Sequence, residues 1–486
     1  MGGGAAFVDY DRDGFLDLYV VTGTYHKELS SGEPPTFRPA NHLYHNRGDG
    51  TFEDATDAAR VGLERYSIAV AAGDYDNDGF PDLYVACYKG PNVLYHNNGD
   101  ETFSDVSRKA GVAFSGCSVG AAFFDYDNDG DLDLYVANYI EFDPQYQYYY
   151  QPDAFPGPLA YQGQADILYR NRGDGSFEDV TAAAGLFDPA GRAMGVAAAD
   201  YDGDGFMDLY VANDAMAKEL YRNLGGQRFQ EVAAESGVAF NEAGEGTASM
   251  MATWGDYDAD GRFDLFVPDN SYKSLYRNEG GGLFADLSAA AGVAVASGQY
   301  VSWGAGFLDY DNDGDLDLFI ANGALHHLYG QEDLLLQNDG RGRYRDASSE
   351  AGAYFERKLC GRGACLGDYD NDGDLDIFIV NLNDRPVLLR NDGGSRHRWL
   401  TLLLVGRRSN RDGVGARVEV TSDGRIQILQ REGGGAYLSA NDPRLHYGLG
   451  EHDRAERIAI RWPSGRTQVL ENVRAGQILT VTEAGK

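Results

Sequence analysis

Several things are scarce in this chain of 486 residues, and each scarcity excludes something. Cysteine occurs four times, as Cys87, Cys117, Cys360 and Cys365. No two of them form a CxxC metal pair, and four allow two disulfides in any of three connectivities. Cys360 and Cys365 fall on opposite faces if their segment is a strand, so a bond between them is disfavoured. Buried free thiols are the expectation, and cysteine does not decide the compartment. No apolar run reaches the roughly 18 residues of a membrane-crossing helix. The chain starts MGGGAAFVDYD, which is no signal peptide. Positive charge is also scarce: 41 Lys and Arg face 76 Asp and Glu, for a formal charge of −35. A general electrostatic footprint for nucleic acid is thereby excluded. No GxSxG, HExxH, P-loop or strand–helix GxGxxG occurs, and nothing resembles an acid held neutral for general catalysis.

What is abundant fits many strands and tight turns: 32 Tyr, 23 Phe and 64 Gly, with only 14 Pro. Hydrophobic residues at 43% supply a sizeable core and argue against disorder. The length corresponds to about three domains, or to one large all-β unit plus a smaller one. From Asp392 onward 15 basic residues meet 11 acidic ones, a net of +4, so the preceding part carries −39.

One motif recurs seven times, starting at Asp9, Asp74, Asp125, Asp200, Asp256, Asp309 and Asp368, at intervals of 65, 51, 75, 56, 53 and 59 residues. Each copy reads D-Y-D-x-D-G-x-x-D and runs into an apolar strand pattern such as DLYVAN. The first three aspartates imitate an EF-hand. Loop position 12, which must be Glu in an EF-hand, is instead Val20, Val85, Val136, Val211, Val267, Ile320 or Ile379. The EF-hand reading therefore fails in every copy.

Positions 1, 3, 5 and 9 offer carboxylates, position 6 is a Gly that permits a sharp turn, and the position 7 carbonyl can point inward. The expected ligands are Asp9, Asp11, Asp13, Phe15 and Asp17; Asp74, Asp76, Asp78, Phe80 and Asp82; and Asp125, Asp127, Asp129, Asp131 and Asp133. The later loops supply Asp200, Asp202, Asp204, Phe206 and Asp208; Asp256, Asp258, Asp260, Arg262 and Asp264; Asp309, Asp311, Asp313, Asp315 and Asp317; and Asp368, Asp370, Asp372, Asp374 and Asp376. Oxygen-only sites of this density suit Ca²⁺ over Mg²⁺. Asp and Gly are also plain turn formers. Turn formation does not explain four carboxylates in all seven copies, and such clusters repel without a cation. About seven Ca²⁺ per chain are expected, which would bring the formal charge of −35 to −21.

Small-residue and apolar segments precede each motif. LYRN or a variant follows, then a glycine turn and F-x-D-V-T, as in LYRNRGDGSFEDVTAAAGL (168–186). Four short antiparallel strands per repeat, seven times, predict an all-β fold: a seven-bladed β-propeller. ARVEV and RIAIRW alternate like strands, with SDG and PSG as turns, so the last roughly 90 residues read as a small β-sandwich-like domain. The propeller is placed at 1–391 and the second domain at 392–486, with the boundary in NDGGSRH. Their opposite charges predict that they dock.

These repeats resemble FG-GAP (VCBS) blades. VANDAMAKELYRNLGG (211–226), GDYDADGRFDLFVPDN (255–270), FLDYDNDGDLDLFIANG (307–323) and GRGACLGDYDNDGDLDIFIVN (361–381), with HRWLTLLLVG, SNRDGVGARVEV, YLSANDPRLHYGLG and RWPSGRTQVL in the tail, are similar to the ASPIC/UnbV family, related to cartilage acidic protein. The resemblance covers nearly the whole chain. It implies a propeller plus a C-terminal β domain and no established activity.

The F-x-D-V-T strand appears six times, at Phe52, Phe103, Phe177, Phe229, Phe284 and Tyr344, for seven blades. Either an upstream closing strand is missing, with a signal peptide before it, or HRWLTLLL completes the last blade. RGD occurs at 47–49 and 172–174, inside hairpin turns where its Arg looks incidental. The insertion 139–164 holds six Tyr and four Pro; it is a recognition surface or a packed lid. His326 and His327 lack a nameable third ligand. Three functions compete. The first is a non-enzymatic, extracytoplasmic (secreted, periplasmic or cell-surface) binding, adhesion or scaffold module with structural calcium and an unidentified protein or glycan partner. The second is a glycan-binding propeller, and the third an enzyme of specialised metabolism using the propeller channel.

Overall fold

The computed structural model describes residues 2–23, 40–143, 157–325 and 329–485. The chain is nearly all β. Each repeat folds as an antiparallel sheet in sequential strand order, and blade one is Ala5–Val8, Asp17–Val20, His42–Asn46 and Phe52–Asp54. Blades two to six repeat the pattern, their innermost strands being Ser67–Gly73, Ser115–Phe124, Ala193–Ala199, Thr253–Gly255 and Ser302–Leu308. Blades two and three are also joined to each other, through Tyr88 opposite Cys117 and Pro91 opposite Ser115. Second strands such as Asp133–Asn138 are buried along their whole length, because each sheet packs between two others.

The F-x-D-V-T motif has a local cause. The aspartate two residues ahead caps the turn, as Asp54 Oδ1 accepts from the Thr56 amide at 3.0 Å. The Thr56 hydroxyl then takes the Leu43 amide of the third strand at 3.0 Å. Ser107, Thr181, Ser288 and Ser348 repeat this contact.

Blade seven has three strands among the described residues: Gly361–Gly367, Asp376–Asn381 and Val387–Leu389. HRWLTLLL does not complete it. Arg398–Val405 pairs instead with Leu445–Gly450 and, in parallel, with Gln477–Thr482. A second sheet of Arg425–Gln430, Arg417–Ser422, Arg454–Arg461 and Thr467–Arg474 packs on that one. Leu400, Leu402, Val418, Tyr447, Ile458 and Trp462 form the shared core of this sandwich. All four cysteines are buried, and Cys87, Cys117 and Cys365 are free thiols.

The C-terminal sandwich sits on the face that carries the aspartate loops. Its arginines reach loop carbonyls: Arg417 to Gly261 at 2.7 Å, Arg461 to Gly203 at 2.9 Å and Arg444 to Asp368 at 2.5 Å. Arg425 pairs with Asp315. The docking expected from the charge split is met by these contacts.

An extended segment of the sandwich, residues 433–442, enters the axial channel. The Phe123 amide donates to the Gly433 carbonyl at 3.2 Å and the Val70 amide to the Leu438 carbonyl at 3.1 Å. Ala440 exchanges bonds with Ala5 and Phe7 of blade one, while Asp442 donates to Leu366 of blade seven. The segment therefore crosses the seam between the first and last blades. Tyr437 is fully buried, its ring 5.8 Å from that of Trp303. Glycine is required at the entrance: a Cβ on Gly433 would lie 1.5 Å from the Phe123 carbonyl oxygen. Gly433→Val should therefore lower stability by at least the roughly 1–3 kcal/mol of an overpacked core. Denaturant unfolding checks this, with Gly50→Asn in an open turn as the near-neutral control.

Candidate metal centre

Each aspartate motif forms the turn between the first and second strands of its blade. The fourth loop residue adopts positive φ in all seven copies, from 56° at Ala259 to 77° at Gly203. Asn, the commonest residue there, tolerates this region. The sixth residue is always Gly, with φ between 90° at Gly314 and 98° at Gly79 and Gly205. Its amide donates to Oδ2 of the first aspartate at 2.7–3.1 Å throughout.

The ninth-position aspartates are the most buried, none more than 1% exposed. One oxygen accepts from the Tyr amide at the second position, as in Tyr10 to Asp17 at 3.2 Å. The other accepts from the amide of an Asn at the end of the third strand, or just past it in blade seven, at 2.7–2.8 Å in every blade. In the first three loops the aspartate carboxylates lie close together. Ligand atoms of Asp9, Asp11 and Asp13, of Asp74, Asp76 and Asp82, and of Asp125, Asp127 and Asp133 each lie within 4.8 Å of one another. Buried oxygens without a hydrogen-bond partner occur on Asp9, Asp127, Asp200, Asp258, Asp311 and Asp370, six of the seven loops. Buried acceptors left open in this way match a cation-binding donor set. The position 7 residues Phe15, Phe80, Asp131, Phe206, Arg262, Asp315 and Asp374 follow the glycine in each turn.

Electrostatics agree with that chemistry. Burial, with the neighbouring loop carboxylates adding to it, pushes Asp17 and Asp74 up to about 8 and Asp264 and Asp376 to about 9. It holds Asp133, Asp208 and Asp317 well above the usual carboxylate range.

The sequence pattern alone did not single out several groups near these loops. Asp412 accepts from the Asp74 amide at 2.9 Å, and Gln430 from the Asp200 amide at 3.0 Å. Asp442 approaches the Asp368 amide at 3.4 Å. His45 and His96 face the first two loops from their third strands. Only the recurring Asn of LYRN was visible in advance, as an unexplained repeat.

A cavity of about 260 Å³ lies between the propeller and the sandwich, lined by Trp254, Phe307, Arg431, Glu432, Asp442 and His446 among others. Burial raises Glu432 to about 8 and lowers His446 to about 4. Both RGD tripeptides are engaged in their hairpins. Arg47 pairs with Glu53 at 2.5 Å, and Asp49 accepts from Thr51; Arg172 pairs with Glu178 at 3.3 Å, and Asp174 accepts from Ser176. Of the Tyr-rich insertion, 144–156 lies outside the described residues, as do His326 and His327. Its base is closed by Ile140–Glu141 pairing with Gln162–Gly163.

Metal-free protein should lose stability as pH rises. The ninth-position carboxyls keep protons in the fold that the unfolded chain releases near pH 4, so between about pH 4 and 8 the folded state binds more protons. Each such group contributes about 1.4 kcal/mol per pH unit in that window. His446 acts oppositely, destabilising the fold below about pH 6.5, but it is one group against seven. In chelator the melting temperature should be higher at pH 5 than at pH 8; a flat or rising profile would contradict the desolvated-carboxyl reading.

Comparison with known proteins agrees with this geometry. The model for the FG-GAP-like repeat matches residues 9–85, 74–136, 159–211, 200–267 and 256–320, more than half of the chain. The model for ASPIC and UnbV matches 406–486. Cartilage acidic protein 1 of Homo sapiens is 25% identical over 507 residues, covering 86% of this chain and 72% of that protein. The Xenopus tropicalis protein of the same name is 26% identical, covering 86% and 73%. The BP39L lectin from Burkholderia pseudomallei superposes with a TM-score of 0.52 at 8% identity, over 81% of this chain and 97% of that one, a likeness of fold alone. Seven aspartate loops on a propeller, a docked sandwich and these matches together show that the chain belongs to the family of FG-GAP-like repeat proteins with an ASPIC and UnbV segment at the C-terminal end.

Proposed function

We propose that the seven loops hold structural Ca²⁺, about seven per chain, and that the protein is a non-enzymatic extracytoplasmic binding or scaffold module. In this reading residues 1–391 form the calcium-braced propeller and 392–486 the domain that docks on it. The observation that carries it is that the first aspartate of every loop is desolvated and feels a neighbouring loop carboxylate, with open buried oxygens in six loops. Their neighbours are backbone amides and strand side chains that orient them, not groups arranged to move a proton. An extracytoplasmic setting (secreted, periplasmic or at the cell surface) follows from supply. Extracellular calcium modules work at about 10⁻⁴–10⁻³ M, a concentration the cytosol does not offer.

Chemistry in an open channel finds little support. The axis is occupied by the segment 433–442, and a cavity of about 260 Å³ lies beneath the sandwich. Binding of a protein or glycan partner is then assigned to the exposed surface, on a scaffold that calcium keeps rigid.

Elemental analysis of the dialysed protein should find about seven calcium ions. Chelation should lower the melting temperature by many degrees, since each site filled at 100 times its Kd contributes about 2.7 kcal/mol. A metal-free protein that melts at the same temperature with and without chelator would refute the proposal.

A further inference from the structure

We infer that loops one and two take a divalent first-row transition cation through an imidazole nitrogen, in place of the calcium proposed for the other five. The inference rests on the metal-loop reading above and concerns which cation two of the loops select.

The residue just before the linking Asn on the third strand differs between blades. It is His45 and His96 in blades one and two, Gln337 in blade six, and Arg in the remaining four. In loops four and six this side chain meets one oxygen of the third-position aspartate: Arg222 Nε donates to Asp202 Oδ2 at 2.7 Å and Gln337 Nε2 to Asp311 Oδ2 at 2.7 Å. Guanidinium and amide N–H groups are donors and cannot ligate a cation.

The two histidines sit differently. His45 Nδ1 is 3.2 Å from both Asp11 Oδ2 and Asp17 Oδ1. His96 Nδ1 is 3.3 Å from Asp76 Oδ2 and 3.4 Å from Asp82 Oδ1. Each nitrogen thus lies between the third- and ninth-position carboxylates of its loop. Both nitrogens are buried, and the carboxylates of their own loops are the groups that face them. His45, Asp11 and Asp17 have ligand atoms within 4.8 Å of one another, as do His96, Asp76 and Asp78. Two ligands held about 2.1 Å from one metal ion stand about 3.0–3.4 Å apart at octahedral or tetrahedral angles, which matches these separations.

The chemistry of the donors then selects the ion. Calcium takes oxygen ligands, whereas imidazole with carboxylate suits manganese or zinc. Ring orientation is set by neighbouring aromatics. His45 stands edge-on to Tyr10 with centroids 6.2 Å apart, and His96 edge-on to Tyr75 at 6.3 Å.

The test loads the full chain with Mn²⁺ in the presence of millimolar calcium. Two manganese and about five calcium ions should remain per chain, and pulsed electron paramagnetic resonance should show coupling to ¹⁴N. His45→Gln and His96→Gln copy the residue that loop six already carries, so the contact to the third-position aspartate is kept. Each should release one manganese ion, and the double variant should lose the nitrogen coupling entirely. Manganese bound without nitrogen coupling, or uptake unchanged in the double variant, overturns the inference. Seven calcium ions with no manganese retained would remove it and leave the calcium reading standing; no divalent ion of any kind would remove both.

Discussion

Asn46 Nδ2 donates to the Tyr369 carbonyl at 2.8 Å, joining the first blade to the seventh. The same bond recurs at every other seam: Asn97 to Tyr10, Asn171 to Tyr75, Asn223 to Tyr126, Asn278 to Tyr201, Asn338 to Tyr257 and Asn391 to Tyr310, at 2.6–2.9 Å. The backbone amide of each of these Asn residues is held by the buried ninth-position aspartate of its own blade. That aspartate also holds the Tyr amide at the start of the loop. One carboxylate therefore ties the end of the first strand to the third strand, and through it to the neighbouring blade. The circuit closes although the seventh sheet has only three strands among the described residues.

Such a joint carries a cost. A carboxylate removed from water must be neutralised, by a proton or by a cation. Backbone amides satisfy part of each group without removing its charge. The architecture and the electrostatics of the loops are thus one problem: the ring is held by groups that favour a positive partner beside them. In blade four Arg222 meets the third-position Asp202, while Arg170, Arg277 and Arg390 in blades three, five and seven pair with Glu178, Glu279 and Asp392, and the sandwich adds more cations from above. Arg417, Arg425, Arg444 and Arg461 all reach the acidic face. The charge split between the two parts of the chain works as an adhesive, and the segment 433–442 adds hydrogen bonds across the seam beside the blade that has three strands among the described residues.

Much of this was legible in the residues. Period-2 strands, the glycine turns and the six F-x-D-V-T strands all fall where the pattern puts them, because they depend on neighbours within a few positions. The loops were equally readable, since Asn, Gly and Asp at fixed offsets serve a local backbone shape. HRWLTLLL was not: its apolar run fits a blade edge or a sandwich core equally well, and Leu445–Gly450 and Gln477–Thr482 decide between them. The tripeptides at 47–49 and 172–174 look like ligands in a string of letters, yet Glu53 and Glu178 across the hairpin occupy their arginines.

Taken alone, the sequence determined the repeat, the strand order within each blade, the loop backbone and which carboxylates share a turn, because all of these rest on spacing. Tertiary structure decided the rest. Asp412 reaching Asp74, Gly433 pressing on Phe123 and Asn46 reaching Tyr369 join positions hundreds of residues apart. The separate directions of His45 and Arg222 depend on side-chain geometry that their identical place in the repeat does not express. Local rules fixed the parts, and the closing of the ring fixed which of them meet.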